Sequence, residues 1–508
     1  MTDATAAPTT IVWFRQDLRL SDNPALAAAL GAGGPVLPLY VLDDEAPGEW
    51  RYGGASRWWL HHSLAALAAD LAARGAPLLV LRGPADRLVP EVAARSGAAS
   101  VQAGRMYEPW ARERDARAAE ALSRDGRRLA LHTSTVLREP SSVLTGAGKP
   151  YGVYTPYARN LMASDPPTPL PDPPERVPGA RHPVESLALD ALDLLPKPPT
   201  PDWAAEFGTV WTPGEAGGRE RLRRFVAKAL GEYGARRNDP ALEGSSGLSP
   251  HLRWGEVSPR QVWHACLDAL GDDRARAEPF LKEIVWRDFS YNLLWHRPEI
   301  TGRPLRPAYE RFPYAPDDAL LRAWKAARTG YPIVDAGMRQ LWRIGWMHNR
   351  VRLVASSLLV KHLLQPWQAG TRVFWDRLVD ADLASNSASW QWIAGAGTDA
   401  APYFRVFNPV AQGEKFDPEG AYVRRWLPRL AKLPTAYIHR PWEAPDAALR
   451  AAGVRLGVDY PRPVVTHEAG RARALAALAA IRAPGEAAPG EPAPGDAAPA
   501  EAEEPAAA

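Results

Sequence analysis

The hydrophobic positions change their period once along the chain. From Ile11 to about Leu137, short aliphatic and β-branched runs (IVWF, VLPLYVLD, PLLVLRG, SVQA, RLALHTS) alternate with Ala/Leu/Arg stretches of helical length such as SRWWLHHSLAALAADLAARG. Unbroken apolar runs suit strands covered on both faces, and their alternation with helices predicts βαβ units in a parallel, doubly wound sheet over residues 10–140. The first strand runs into FRQDLRLSDNPAL instead of the GxGxxG turn of a standard dinucleotide site. Between Asp165 and Pro201 twelve of 37 residues are proline, which predicts an extended, stiff connector inside a linker spanning 141–218. Past Arg219 the strand signals fade. RERLRRFVAKALGEYG, ALLRAWKAARTG and AGMRQLWRIGWMHNRVRLVASSLLVKHLL all carry helical spacing, so residues 219–475 are expected to form an all-helical domain. Residues 1–9 and the Ala/Pro/Gly/Glu-rich stretch 483–508 are expected to be disordered.

Composition narrows the classes. A single cysteine, Cys266, forms no intrachain disulfide and supplies no multi-cysteine metal or iron–sulfur site, which fits a reducing cytoplasm and no metal. The opening MTDATAAPTT has neither the basic start nor the apolar core of a signal peptide, and no apolar stretch reaches membrane-spanning length. A soluble, cytoplasmic protein is the expectation. The formal net charge is +3, but residues 483–508 hold six acids and no base. Setting those six charges aside leaves +9 on the body, which suits a polyanionic partner. Twenty Trp against ten Phe is an inverted ratio, so some indoles are candidates for more than packing.

Several short stretches carry candidate chemistry. GSSGLSP, Gly244 to Pro250, reads as a glycine/hydroxyl loop in which Ser249 caps a helix whose first residue is Pro250. Amides there, with Ser245 and Ser246, would cradle a diphosphate; a plain capped loop is the alternative. EIVWRDF places Glu283 and Trp286 three apart on one helix face, a carboxylate beside an aromatic plane, with Arg287 next to meet a phosphate; an ordinary amphipathic helix is the alternative. GWMHNRVRL brings His348, Asn349, Arg350 and Arg352 together, where Asn349 offers the donor and acceptor of base recognition and His348 reads as structural. DADLASN holds Asp380 and Asp382 in apolar surroundings that demand partners, Arg352 being one candidate. Trp390 and Trp392, two apart, point to opposite sides of a helix and either serve two compartments or pack core on both.

Taken in order, IVWFRQDLRLSDNPAL, GSSGLSP, EIVWRDF, TGYPIVDAGMRQLWRIGWMHNR, DADLASN, WQWIAGAGTDAAPYFRVFNP and QGEKFDP resemble the signature blocks of DNA photolyases and cryptochromes, over roughly residues 10 to 470. The pattern is most similar to bacterial class I photolyases for cyclobutane pyrimidine dimers. The resemblance implies an α/β antenna domain and a helical domain holding FAD. It assigns the FAD phosphates to Tyr233 and to Ser245, Ser246, Gly247, Leu248 and Ser249. Asp380, Ala381 and Asp382 take the flavin and ribose end, Arg352 ties down Asp380, and Asn386 lies against the flavin. Trp390 and Trp367 match the inner members of an electron-hopping chain, with Tyr314 where the family carries a distal Trp. Glu283, Trp286, Asn349 and Trp392 match the clasp around a flipped-out dimer, and Leu353 stands where a Met is usual. Arg237, Arg287, Arg350 and Gln412 match DNA-contacting positions. The implied activity is light-driven repair, in which excited reduced FAD passes an electron to the dimer and splits it. The implied partner is damaged DNA, bound by a monomer. The loop AGRMYEPWARERD looks like the site of an 8-hydroxy-deazaflavin antenna rather than methenyltetrahydrofolate.

Three other readings stand beside this one. A cryptochrome-type light sensor would share the fold, although plant-type cryptochromes carry Asp and insect-type ones Cys where this chain has Asn386. A (6-4) photoproduct photolyase would favour two histidines where this chain has His348 and Asn349. A non-catalytic flavin- or nucleotide-binding module would leave the C-terminal motifs unexplained.

Overall fold

A computed structural model of the chain describes residues 7–197, 202–271, 273–397 and 404–481. Residues 1–6 and 482–508 lie outside the described residues, so the expected disorder of the two ends is not addressed.

Five strands, β1 (Thr10–Phe14), β2 (Val36–Leu42), β3 (Leu79–Arg82), β4 (Ser100–Gly104) and β5 (Arg128–His132), form one parallel sheet in the order β3-β2-β1-β4-β5. β1 and β2 are buried at every position, as apolar runs covered on both faces must be. Helices Pro24–Gly31, Gly54–Ala73, Ala85–Ser96 and Pro109–Arg124 make the crossovers. The strand order reverses between β1 and β4, which identifies the doubly wound topology.

The segment after β1 has a role that its sequence did not disclose. Arg15, Gln16, Asp17, Arg19, Ser21, Asp22 and Asn23 are all buried, and buried polar groups of this density need partners. Arg15, Gln16, Asp17 and Asn23 find them within the sheet domain, and Arg19, Ser21 and Asp22 reach the helical domain. Leu18 N–H donates to Trp254 O at 3.0 Å and Arg19 Nη1 to Gly255 O at 2.9 Å. Asp22 accepts from Ser258 Oγ and from Arg260 Nη2, and Gln261 Nε2 donates to Ser21 Oγ at 2.8 Å. Gly255 (φ +64°) is required there, since a Cβ would fall 2.1 Å from Gln16 O. The two domains are therefore clamped by hydrogen bonds to a single loop.

The described part of the proline-rich stretch has no strand of the sheet and one short helical turn, Leu189–Leu192, and it is pinned to the sheet domain. Val36 N–H donates to Pro178 O at 2.7 Å and Ala180 N–H to Val36 O at 2.9 Å. The helical domain starts earlier and ends later than the sequence boundaries 219 and 475, with helices Glu215–Lys228 and His467–Ala480 at its ends. The long helical pattern from Ala336 is also interrupted. Helix Pro332–Ile344 stops at Gly345 (φ +66°), and a new helix runs Asn349–Ser357 with His348 as its N-cap. A left-handed glycine ends a helix whatever the apolar spacing beyond it. His348 is structural, as expected: it is buried, its ring accepts from Arg350 N–H, and burial with Arg350 and Arg352 close by pulls its pKa down to about 3. Among the described residues no helix is long and apolar enough to cross a membrane.

Asp288, on helix Glu278–His296, fastens that helix to the sheet domain. Its Oδ2 accepts from the N–H of Leu137 at 2.8 Å and of Arg138 at 3.4 Å, while its buried Oδ1 has no partner. Burial pushes this carboxyl up from 3.8 to about 7, against the pull of Arg287. The folded protein thus keeps a proton between about pH 4 and 7 that the unfolded chain has already released. The stabilisation from Asp288 is present below that window and is lost as pH rises through it. Melting temperatures of the wild type should therefore fall relative to Asp288→Asn between about pH 4 and 7; parallel pH profiles would contradict this.

Candidate functional site

The helical domain encloses a cavity that opens to solvent. Of the residues expected to hold a cofactor, Tyr233, Ser245, Ser246, Gly247, Ser249, Arg352, Asp380 and Asp382 line it. Leu248 and Ala381 are buried in the core between them.

Ser249 does not cap its helix. The cap position is Leu248, which has no side-chain capping bond, so Ser249 is the first helical residue and Pro250 the second. The hydroxyl turns away from the helix start because a stronger acceptor is in reach: Ser249 Oγ donates to Asp380 Oδ2 at 2.6 Å. Arg352 Nη2 donates to the same oxygen at 2.7 Å, the pairing expected from the sequence, and its Nε donates to Met347 O at 2.7 Å. Trp346 Nε1 donates to Ser249 Oγ at 3.2 Å. Asp382 caps helix Leu383–Ala394 through Ser385 N–H at 2.8 Å, and its other oxygen accepts from Tyr291 Oη.

These bonds leave a polar edge open. Asp380 Oδ1 and Arg253 Nη1, both on lining residues, are buried without a protein partner, as is Asn386 Oδ1. Asn386 donates from Nδ2 to Thr371 O at 3.2 Å. Unpaired buried donors and acceptors on one cavity, here Asp380 Oδ1 and Arg253 Nη1, are what a bound polar ligand satisfies, so the residues present fit FAD; Asn386 is not among the residues that line that cavity. Arg253 escaped the sequence reading; it is fully buried, with Nε donating to Ala381 O at 2.5 Å and the guanidinium stacked on Trp254. Nothing in its immediate sequence distinguishes it from the other arginines. Ser385, Trp346 and Tyr291 were missed as well, since hydrogen bonds between distant segments leave no local pattern.

The four residues of the expected clasp divide between two cavities. Glu283 and Asn349 line the larger one, and Trp286 and Trp392 line a second of about 350 Å3. Both cavities run along helices Glu278–His296 and Leu383–Ala394, offset by about one turn. Glu283 is paired with Arg237 at 2.5 Å. Trp286 is backed by Tyr154, a residue of the linker, with ring centroids 3.5 Å apart and planes 2° from parallel. Leu353 is buried in the core.

Two of the expected DNA contacts are already engaged within the protein. Arg287 donates to Thr135 O and Leu252 O and stacks on Tyr291, because it lies at the junction of the domains. Arg350 is 7 % exposed; it donates to Asn238 Oδ1 at 2.8 Å and lies over Phe416. Arg237 stays partly exposed, and Gln412 is half-buried with an Oε1 that lacks a partner.

Trp390 and Trp392 lie in different surroundings, Trp392 on the second cavity and Trp390 in the core. Trp390 is buried against Phe374 at 5.0 Å and Trp324 at 6.4 Å, and Gly370 lets the neighbouring helix approach its ring so closely that a Cβ would fall 2.0 Å away. Trp367 is buried in the same core. Tyr314 packs on Phe312 at 4.8 Å beside the C-terminal helix, and burial raises its hydroxyl pKa.

A parallel-sheet domain clamped to a helical domain, whose open cavity leaves buried polar atoms unpaired on its wall, is an arrangement that suits a two-domain flavoprotein. The chain belongs to the DNA photolyase/cryptochrome family: residues 10–175 match the family described as DNA photolyase, and residues 280–480 match the FAD binding domain of DNA photolyase. It is 48% identical to a deoxyribodipyrimidine photo-lyase of Agrobacterium fabrum over 476 residues, covering 93% of this chain and 98% of that one. Cryptochrome-1 of Arabidopsis thaliana is 39% identical, with 91% of this chain and 69% of that one covered. A bacterial class III photolyase from Agrobacterium tumefaciens has the same fold, with a TM-score of 0.90 at 47% identity, over 95% of this chain and 99% of that one. The match to the FAD binding domain supports FAD as the cofactor. The comparisons reach the family and its photo-lyases but not the class I placement expected from the sequence.

Arg352→Ala would leave Asp380 buried and unpaired. It is expected to destabilise the protein by about 3–5 kcal/mol and to release FAD on purification. Denaturant midpoints and the flavin-to-protein absorbance ratio check this; a variant that is as stable and as yellow as the wild type contradicts it.

Proposed function

We propose that the protein repairs cyclobutane pyrimidine dimers in DNA under blue light. The observation that carries this reading is the division of the clasp: a carboxylate and an amide (Glu283, Asn349) on the FAD cavity, and two indoles (Trp286, Trp392) one helical turn away. Reduced FAD, when bound, supplies the light-driven electron that weakens the cyclobutane ring; the difficult chemistry belongs to the cofactor.

The residues of this chain do the rest. Extrusion of the damaged pair, established for photolyases in general, costs least where stacking is already broken. Trp286 then offers a flat face for the lesion, held rigid from behind by Tyr154. Glu283 accepts hydrogen bonds from pyrimidine N–H groups, with Arg237 keeping it aimed. Asn349 supplies both a donor and an acceptor at the same edge. Asn386 lies with the flavin, and Trp390, Trp367 and Tyr314 form the route by which FAD is brought to its reduced state. Arg237 and Gln412 meet the strand, and the cationic contact makes affinity fall with salt. An 8-hydroxy-deazaflavin antenna on residues 103–115, at the strand-order reversal of the sheet, belongs to the same reading, and the absorption band of freshly purified protein tests it against methenyltetrahydrofolate.

The identity to Cryptochrome-1 favours a second reading, a light sensor without repair activity. One experiment separates them. Illuminated protein with fully reduced flavin should convert dimer-containing oligonucleotide to monomer thymines while leaving (6-4) lesions intact; unchanged dimers would overturn the proposal, and loss of (6-4) lesions would redirect it. Trp286→Ala is expected to weaken binding of the dimer oligonucleotide by about 1–3 kcal/mol, roughly 10- to 100-fold, without changing affinity for undamaged DNA. An equal loss for both would remove Trp286 from lesion recognition.

A further inference from the structure

A third cavity lies on the other side of the loop that lines the FAD cavity. Its walls come from helix Glu215–Lys228, residues 240–247, the connector after Ile344 and helix Ala421–Trp426. We infer that it is a binding site for a nucleotide-class anion, a flat heteroaromatic ring joined to two or more negative charges. Taking the inner cavity as the FAD site, this outer one is distinct from both FAD and lesion.

Charge is the first argument. Arg221, Arg224 and Lys228, at i, i+3 and i+7, project from one face of their helix, and Arg425 joins them from the opposite wall. The one lining acid, Glu243, is taken by Arg224 at 2.6 Å. Among the described residues no ion pair includes Arg221, Lys228 or Arg425. Burial and the nearby Arg224 already pull the Arg221 guanidinium below its ordinary value. Cations crowded in a concave wall without counter-charges are stabilised by an anion that enters it.

Shape is the second. Trp211 is fixed by Nε1 donating to Ile344 O at 2.8 Å, and the Arg221 guanidinium lies over its ring at 4.8 Å. A stacked guanidinium presents a flat cationic platform that suits a heteroaromatic ring. Trp426 stands beside Arg425 at 5.3 Å across the cavity. A bare phosphate would leave these planes unused.

The site is also wired to the FAD cavity. Ser245, Ser246, Gly247 and Trp346 line both. Gly247 (φ +61°) is pressed against Arg221, whose Nη1 lies 2.6 Å from where a Cβ would stand. Trp346 reaches Asp380 through the Ser249 hydroxyl. A ligand that draws Arg221 outward moves the loop that faces the flavin.

The test uses flavin-loaded, full-length protein and calorimetric titration with ATP, pyrophosphate and adenosine. One equivalent of ATP should bind, pyrophosphate more weakly, and adenosine without measurable heat, while the flavin absorption bands shift in step with ATP saturation. Lys228→Gln and Arg425→Gln, on different helices, should each weaken ATP binding about fivefold, and ATP should still bind when a dimer oligonucleotide is saturating. Unchanged ATP affinity in both variants, one-for-one displacement by the oligonucleotide, or pyrophosphate binding as tightly as ATP would each overturn the assignment.

Discussion

One buried carboxylate organises the centre of this protein. Asp380 is 2 % exposed, and a charge at that depth is tolerable only if it is paired and hydrogen-bonded. Arg352 and Ser249 both act on Oδ2, and through them Asp380 joins the loop before Pro250, the connector at Met347 and the helix that begins at Asn349. The second oxygen is left for a ligand. The same bonds that make the charge affordable to the fold thus shape the cavity and leave its polar edge open.

The inter-domain clamp serves the same centre from the other side. Its contact points, Trp254, Gly255 and Ser258, directly follow the helix that carries Ser249 and Arg253, and Trp254 Nε1 donates to Val379 O, next to Asp380. Trp59 Nε1 and the ring of His251 both bond Glu256. The sheet domain is in this sense a splint for the FAD site. That accounts for a run as polar as RQDLRLSDN being buried throughout.

Much of this was legible in the sequence, and the limits follow from what each signal encodes. The sheet was readable because apolar runs such as IVWF and VLPLYVL report burial on two faces directly. Arg352–Asp380 was readable because a buried acid needs a base and few were near. The cap role of Ser249 was misjudged because local preference lost to a distant carboxylate. Gly345 broke a helix whose spacing continued on both sides of it. Arg287 and Arg350 show a similar limit: a guanidinium suits a carbonyl or an aromatic face as well as a phosphate, and both side chains hold such partners in the fold. Tyr154, Arg253 and the clamp are contacts between segments far apart in the chain, and no local pattern records them.

The central claim is that a lesion held by Glu283, Asn349, Trp286 and Trp392 lies within electron-transfer reach of the bound flavin. The fluorescence lifetime of the fully reduced flavin, measured with and without saturating dimer oligonucleotide, tests this most directly. The account predicts a marked shortening with dimer DNA and none with undamaged DNA of the same sequence. An unchanged lifetime with the dimer oligonucleotide demonstrably bound would contradict it.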